Sequence, residues 1–144
     1  MSKFLSTYKI HLIAITTGLF ALLAVVVLLE IVPRGEQMPE PSIKFISSSE
    51  AGIKISEYPD AFIIDVRTNM EFVHLRIPGS INIPYTSIAQ MQELLPYDRR
   101  IPIFLYCRTG RRAGIAANVL LELGFQNIFV FPGMIDWQGD TITG

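Results

Sequence analysis

The chain has one cysteine, two histidines and one tryptophan among its 144 residues. A lone cysteine excludes a disulfide within the chain. Three soft ligands, with His11 in an apolar segment, do not suffice for a four-ligand zinc site, so the sequence implies no metal and no organic cofactor. The net charge of −1 gives no indication of a surface that binds nucleic acid.

Long apolar runs are also absent, with one exception at residues 10–32. This segment has no charged side chain before Glu30. As a helix it would extend about 35 Å, which is enough to cross a bilayer. A cleaved signal peptide has an apolar core of about 7–15 residues and a small-x-small site, which is missing here, and a core helix would not be apolar on every face. We therefore expect an uncleaved transmembrane helix at residues 10–32, after a short tail at 1–9.

The flanking charges give a weak preference for orientation. Lys3, Lys9 and the α-amino group precede the apolar segment, and Arg34 and Lys44 follow it. The positive-inside rule then favours a cytoplasmic N-terminus. We expect a single-pass anchor, an extended proline-rich linker at residues 33–42 and an extracytoplasmic domain after it.

Residues 43–144 alternate short apolar runs with helical patterns. The predicted strands are 43–46, 61–64, 81–83, 103–106 and 127–131. The predicted helices are 48–57, 86–95, 111–123 and 133–138. Such alternation is typical of an α/β domain with a central, mainly parallel five-stranded sheet flanked by helices. In these folds ligands bind at the carboxyl ends of the strands.

The cysteine lies at such an end. Cys107 follows the strand at 103–106 and precedes a short loop and the helix at 111–123. Backbone N–H groups between a strand and a helix can hold an anion, and the helix dipole adds to their field. A thiolate is stabilised there, and Gly110 allows a tight turn. The loop also has three arginines: Arg108, Arg111 and Arg112.

Two simpler interpretations remain beside this one. Free cysteine is often a small core residue, although a core cysteine needs no arginine-rich loop after it. Some of the arginines could belong only to a solvated charged face, and the sequence does not say which. We favour a reactive cysteine that faces an anion site.

Four blocks, in order, carry a resemblance to a known family. They are the segment 62–72, with Asp65, Arg67 and Glu71; Ile77-Pro-Gly-Ser-Ile-Asn-Ile-Pro84; the cysteine loop; and Gly133-Met-Ile-Asp-Trp137. Together they resemble the rhodanese family over about residues 43–144. The resemblance implies a sulfurtransferase that moves sulfur from thiosulfate or a similar donor to a thiol or cyanide.

By this resemblance Cys107 forms a persulfide. The substrate-binding residues would be Arg108, Thr109, Gly110, Arg111 and Arg112. The loop 107–112 has six residues, as in sulfur-transferring members, whereas the phosphatases of this fold use seven. The partners would be a small anionic sulfur donor, a thiol or protein acceptor, and the membrane through residues 10–32.

Four further residues are expected to support the site. We expect Arg67 and Glu71 to pair and brace the loop after their strand. Asp65 would accept hydrogen bonds from nearby N–H groups, and Trp137 would pack under the cysteine loop.

The sequence departs from the family pattern in places. Leu75-Arg76 stands where Gly-His is common, and His74 comes one place early, so we expect it at the surface. Pro132 replaces a frequent glycine. A second hypothesis is a docking, sulfur-carrier or redox-sensing module without turnover, and a third, weaker one is phosphatase-like hydrolysis.

Overall fold

The computed structural model describes residues 40–144, which contain five strands and three α-helices. The strands are β1 (Ser42–Phe45), β2 (Phe62–Asp65), β3 (Ile81–Asn82), β4 (Ile103–Cys107) and β5 (Asn127–Gly133). The helices are α1 (Ser48–Glu57), α2 (Asn69–His74) and α3 (Arg111–Glu122). The strands form one parallel sheet in the order β1-β5-β4-β2-β3. This confirms the predicted α/β domain with a parallel five-stranded sheet.

The expectations for residues 1–39 concern a part of the chain outside the described residues. They include the tail at 1–9, the transmembrane helix at 10–32 and most of the linker at 33–42. Within residues 40–144, no helix is long and apolar enough to cross a bilayer.

The central strand β4 is buried at all five positions, as expected for a parallel strand covered on both faces. Its side chains alternate between two cores. Leu105 and Cys107 belong to the core on the α3 side, whereas Phe104 and Tyr106 belong to the core that contains Ala51 of α1. Hence the fold brings the cysteine to the carboxyl end of the central strand, on the side of α3.

Helix α3 packs closely on the sheet because small side chains line its inner face. Its buried residues are Ala113, Ala116, Ala117 and Leu120. The helix starts directly after Gly110, whose φ of 86° lies in the left-handed region that favours glycine. The sharp turn there joins strand and helix through only three residues.

Two predicted helices are wrong, and one helix was not predicted. Residues 86–95 form turns and one 3-10 helix, Gln92–Leu94. The spacing of Ile88 and Leu95 imitates a helix, but consecutive turns bury both side chains. Residues 133–138 also form no helix, since β5 continues to Gly133 and a turn follows. The unpredicted helix is α2, which has six residues and no buried side chain.

Candidate active site

Cys107 lies at the last position of β4 with 1% of its surface exposed. The backbone N–H of Gly110 donates to its Sγ atom at 3.1 Å. In residues 40–144 no side chain caps the N-terminus of α3, which begins at the next residue. Unpaired N–H groups and the helix dipole at this end favour a negative charge. The sulfur therefore lies where an anion is stabilised.

The turn after β5 is joined to the cysteine loop by two backbone hydrogen bonds. Met134 N–H donates to the carbonyl of Cys107, and Ile135 N–H donates to the carbonyl of Arg108, both at 3.1 Å. Gly133 makes this approach possible. A Cβ atom there would lie 2.7 Å from the Cys107 carbonyl oxygen and 2.8 Å from the side chain of Tyr106. The segment 133–137 was recognisable in the sequence, but its bonds to the loop were not.

The three loop arginines differ in their surroundings. Arg112 binds Glu71 through two hydrogen bonds of 2.8 Å, and Glu71 also accepts from the hydroxyl and the N–H of Thr68. Arg108 and Arg111 are exposed, and neither has an ion pair with any carboxylate in the described part of the chain. These two guanidinium groups are therefore available to a ligand, whereas Arg112 is held in place.

The Glu71–Arg112 pair is charged on both sides at neutral pH. The hydrogen bonds from Arg112 lower the pKa of Glu71 to about 2. Glu71 in turn raises the pKa of Arg112, and the nearby Cys107 makes a smaller contribution in the same direction. The pair joins α2 to the first turn of α3. It replaces the expected Arg67–Glu71 pair, which was wrong.

Arg67 instead pairs with Asp65 inside the domain, where Asp65 is 0% and Arg67 6% exposed. The Arg67 Nε donates to both carboxylate oxygens at 3.0 Å, and its backbone N–H donates to Asp65 Oδ1 at 2.9 Å. Burial opposes the charge on Arg67, but the hydrogen bonds and charge of Asp65, with smaller contributions from Tyr106 and Glu71, together outweigh it, so the pKa of Arg67 is raised. The guanidinium also donates to the carbonyl of Leu75. This pair braces the segment that leads to Ile77, and the expected hydrogen bonds to Asp65 are present.

Tyr106 is a further supporting residue that sequence analysis missed. Its hydroxyl accepts from the N–H of Ile77 at 3.1 Å and lies 3.1 Å from Ser80 Oγ. Burial raises the pKa of this phenol to about 12. The available signal was a tyrosine in a buried strand, since a buried hydroxyl requires a partner.

Neither Trp137 nor His74 has a hydrogen bond to the cysteine loop in the described residues. The Trp137 ring packs at 5.8 Å from the ring of Phe131, and its Nε1 donates to the carbonyl of Asp140 at 3.0 Å. The hydrogen bonds between the turn and the cysteine loop come from the backbone N–H groups of Met134 and Ile135. His74 is exposed at the end of α2.

A metal site is not formed by the side chains in residues 40–144. No group of three or more histidine, cysteine, aspartate or glutamate residues there could hold an ion.

Comparison with known proteins identifies relatives of this domain. The family model for the rhodanese-like domain matches residues 50–139. YtwF of Bacillus subtilis, a protein named as a sulfurtransferase, is 33% identical over 99 residues, which cover 69% of this chain and 94% of that protein. YrkF of the same organism, named as a sulfur carrier protein, is 33% identical over 101 residues; the match covers 69% of this chain but only 54% of that protein.

A solved structure supports the same assignment. The rhodanese-like domain protein from Staphylococcus aureus matches with a TM-score of 0.59 and 26% identity, over 70% of this chain and 98% of that one. The family match spans more than half of the chain and includes the cysteine loop, α3 and the turn after β5. The chain belongs to the rhodanese-like domain family.

Proposed function

We propose that this protein is a sulfurtransferase that moves sulfane sulfur from thiosulfate or a similar donor through a Cys107 persulfide. The observation that carries the proposal is the N–H of Gly110 at 3.1 Å from Sγ, at an uncapped helix N-terminus within the described residues. A thiolate in such a position is a nucleophile. A persulfide carries its negative charge on the terminal sulfur, one bond beyond Sγ, and the other N–H groups of the loop would stabilise it there.

In the first half-reaction the Cys107 thiolate attacks the outer sulfur of thiosulfate. A sulfur–sulfur bond forms to Cys107, the sulfur–sulfur bond of thiosulfate breaks, and sulfite leaves with the electron pair. The backbone N–H groups of residues 108–112 hold the resulting persulfide anion. Arg108 and Arg111, which are exposed, attract the dianionic donor and stabilise the departing sulfite.

In the second half-reaction an acceptor thiolate or cyanide attacks the terminal sulfur of the persulfide. The new bond to the acceptor forms as the bond to Cys107 breaks, which regenerates the thiolate. The scheme is ping-pong, because the first product leaves before the acceptor reacts. A groove of about 420 Å³ beside Arg111 offers space for the body of a larger acceptor.

Arg112 has a different role in this proposal from that of the two exposed arginines. Its guanidinium donates through Nη1 and Nη2 to the two carboxylate oxygens of Glu71, so it contributes a fixed positive charge near Cys107. Its role is to hold a positive charge beside the thiolate, whereas Arg108 and Arg111 bind the donor. Thr109 and Gly110 act through their backbone N–H groups.

The test is the intact mass of the full chain before thiosulfate, after thiosulfate and after cyanide. We expect a gain of one sulfur atom and then its loss. Cys107→Ser should retain the fold and show neither change, and it is the control for sulfur bound elsewhere. An unchanged mass in a chain whose Cys107 is reduced would refute sulfur transfer from thiosulfate.

A second candidate function is a sulfur carrier or docking module loaded by a protein partner. The observation that favours it is the 33% identity to a protein named as a sulfur carrier. Turnover with thiosulfate and cyanide separates the two candidates. A carrier would accept sulfur from a protein donor yet give no thiocyanate in this assay.

We also propose that residues 10–32 anchor the protein in a membrane with the domain on the extracytoplasmic side. The support is the apolar sequence of this segment and the lysines before it. Protease added to intact cells or spheroplasts should then cleave within residues 33–144. Protection until the membrane is permeabilised would place the domain on the cytoplasmic side.

A further inference from the structure

Ser48, at the start of α1, has a buried hydroxyl group that joins the helix to the turn after β5. The residue is 3% exposed. Its Oγ donates to Asp136 Oδ1 at 2.6 Å and accepts from the N–H of Gly133 at 3.2 Å. In residues 40–144 it is one of few buried polar side chains, beside the Asp65–Arg67 pair and the hydroxyl of Tyr106. Such a group normally has a structural or functional reason for its burial.

The turn that Ser48 fixes is the same one that holds the cysteine loop. Met134 and Ile135, between the two partners of Ser48, donate to the carbonyl groups of Cys107 and Arg108. No cis peptide bond occurs in the described residues. In a planar trans peptide the N–H of the next residue points opposite to the carbonyl. Holding these two carbonyls therefore sets the direction in which the following N–H groups of the loop point.

We propose that Ser48 is a positioning residue for the Cys107 loop and acts through the turn at residues 133–136. The inference rests on the proposed function, because in both the loop N–H groups stabilise anionic sulfur. Removing the hydroxyl releases both the N–H of Gly133 and the carboxylate of Asp136. The turn then holds the loop less firmly, and the thiolate loses part of its stabilisation.

The test is the rate at which iodoacetamide alkylates Cys107 in the full chain, measured by intact mass as a function of pH. Cys107 is the only cysteine, so the mass change reports this thiol alone. We expect Ser48→Ala to slow alkylation at pH 7 about fivefold, as for the loss of one hydrogen bond. The pH of half-maximal rate should rise. Ser56→Ala, an exposed serine in the last turn of α1, is the control and should leave the rate unchanged.

A second pair of variants covers the case in which Ser48→Ala fails to fold. Asp136 is exposed, so Asp136→Ala should fold, and it should slow alkylation in the same direction. Asp136→Asn retains an oxygen acceptor for Ser48 and should alkylate like the wild type. Equal rates for the two Asp136 variants, or a folded Ser48→Ala with the wild-type pH profile, would overturn the proposal.

The alkylation assay needs no sulfur donor, and therefore it separates this inference from the proposed function. A chain that takes no sulfur from thiosulfate, but whose Ser48→Ala variant alkylates slowly, would refute sulfur transfer alone. A chain that transfers sulfur, with Ser48→Ala alkylating at the wild-type rate, would refute only the positioning role.

Discussion

Replacing Glu71 by glutamine should destabilise the domain in a manner that depends on pH. The change keeps the size of the side chain but removes the charge that Arg112 binds. Lowering the pKa of Glu71 from 4.5 to about 2 corresponds to about 3 kcal/mol of stabilisation. Because this side chain is 35% exposed, solvent screening reduces the expected loss at pH 7 to about 1 kcal/mol.

The direction of the pH effect follows from the lowered pKa. The stabilisation by ionised Glu71 is complete above its ordinary pKa of 4.5 and is lost as the pH falls toward about 2. The difference between the wild type and Glu71→Gln should therefore be constant from pH 6 to 7. By pH 3 it should fall to less than half of that value.

The assay is urea unfolding at several pH values, followed by the fluorescence of Trp137, the only tryptophan. Asp98→Asn is the matched control. Arg100 also lowers the pKa of Asp98 to about 2, but both side chains of this pair are exposed, at 63% and 43%. A surface pair contributes little, so this variant should unfold like the wild type. Equal losses in the two variants, or a Glu71→Gln difference that persists at pH 3, would refute the reasoning.

Three other substitutions test the site. Gly133→Ala should lower the free energy of unfolding in urea by about 2–4 kcal/mol, because the added Cβ meets the Cys107 carbonyl. Gly79 is the control, since it has the same φ of 76° but open space around it, and Gly79→Ala should lower the free energy of unfolding by less. Tyr106→Phe leaves the buried N–H of Ile77 without its acceptor and should cost about 1–3 kcal/mol by the same measurement. Arg111→Ala should lower kcat/KM for thiosulfate about tenfold but change it little for an uncharged persulfide donor; equal losses would indicate collapse of the loop.

The inner strands β2, β4 and β5 were predictable because each is a mainly apolar run bounded by turns or helices, whereas the edge strands β1 and β3 are short and partly polar. The strand and helix on either side of Cys107 also placed this residue at the carboxyl end of the central strand, as the structure has it. Local sequence sufficed here, since burial on both faces gives parallel strands a continuous apolar signal. The helix α1 was predicted at its observed bounds, and in the structure the side chain of Ser47 caps it.

The wrong ion pair and the missed bonds to the cysteine loop depend on contacts between residues distant in sequence. Glu71 is close to Arg67 along the chain, yet it binds Arg112, because α2 brings it beside the first turn of α3. The helix α2 itself is short and has no buried face, so it has no periodicity to detect. Its capping box, Thr68 with Glu71, was nevertheless present in the sequence as a start signal. The bonds from residues 133–136 to the cysteine loop depend on tertiary structure and leave no local pattern.

The strand order has a consequence for folding during synthesis on the ribosome. In the described sheet the edge strand β1 pairs with β5, which is synthesised last, and the turn after β5 supplies the N–H groups that hold Cys107 and Arg108. At roughly 5–20 residues per second, Cys107 is made some seconds before that turn. Until then the cysteine loop has no hydrogen bonds from Met134 and Ile135. A nascent chain, or one truncated before residue 134, therefore lacks the two hydrogen bonds that fix the carbonyl groups of Cys107 and Arg108.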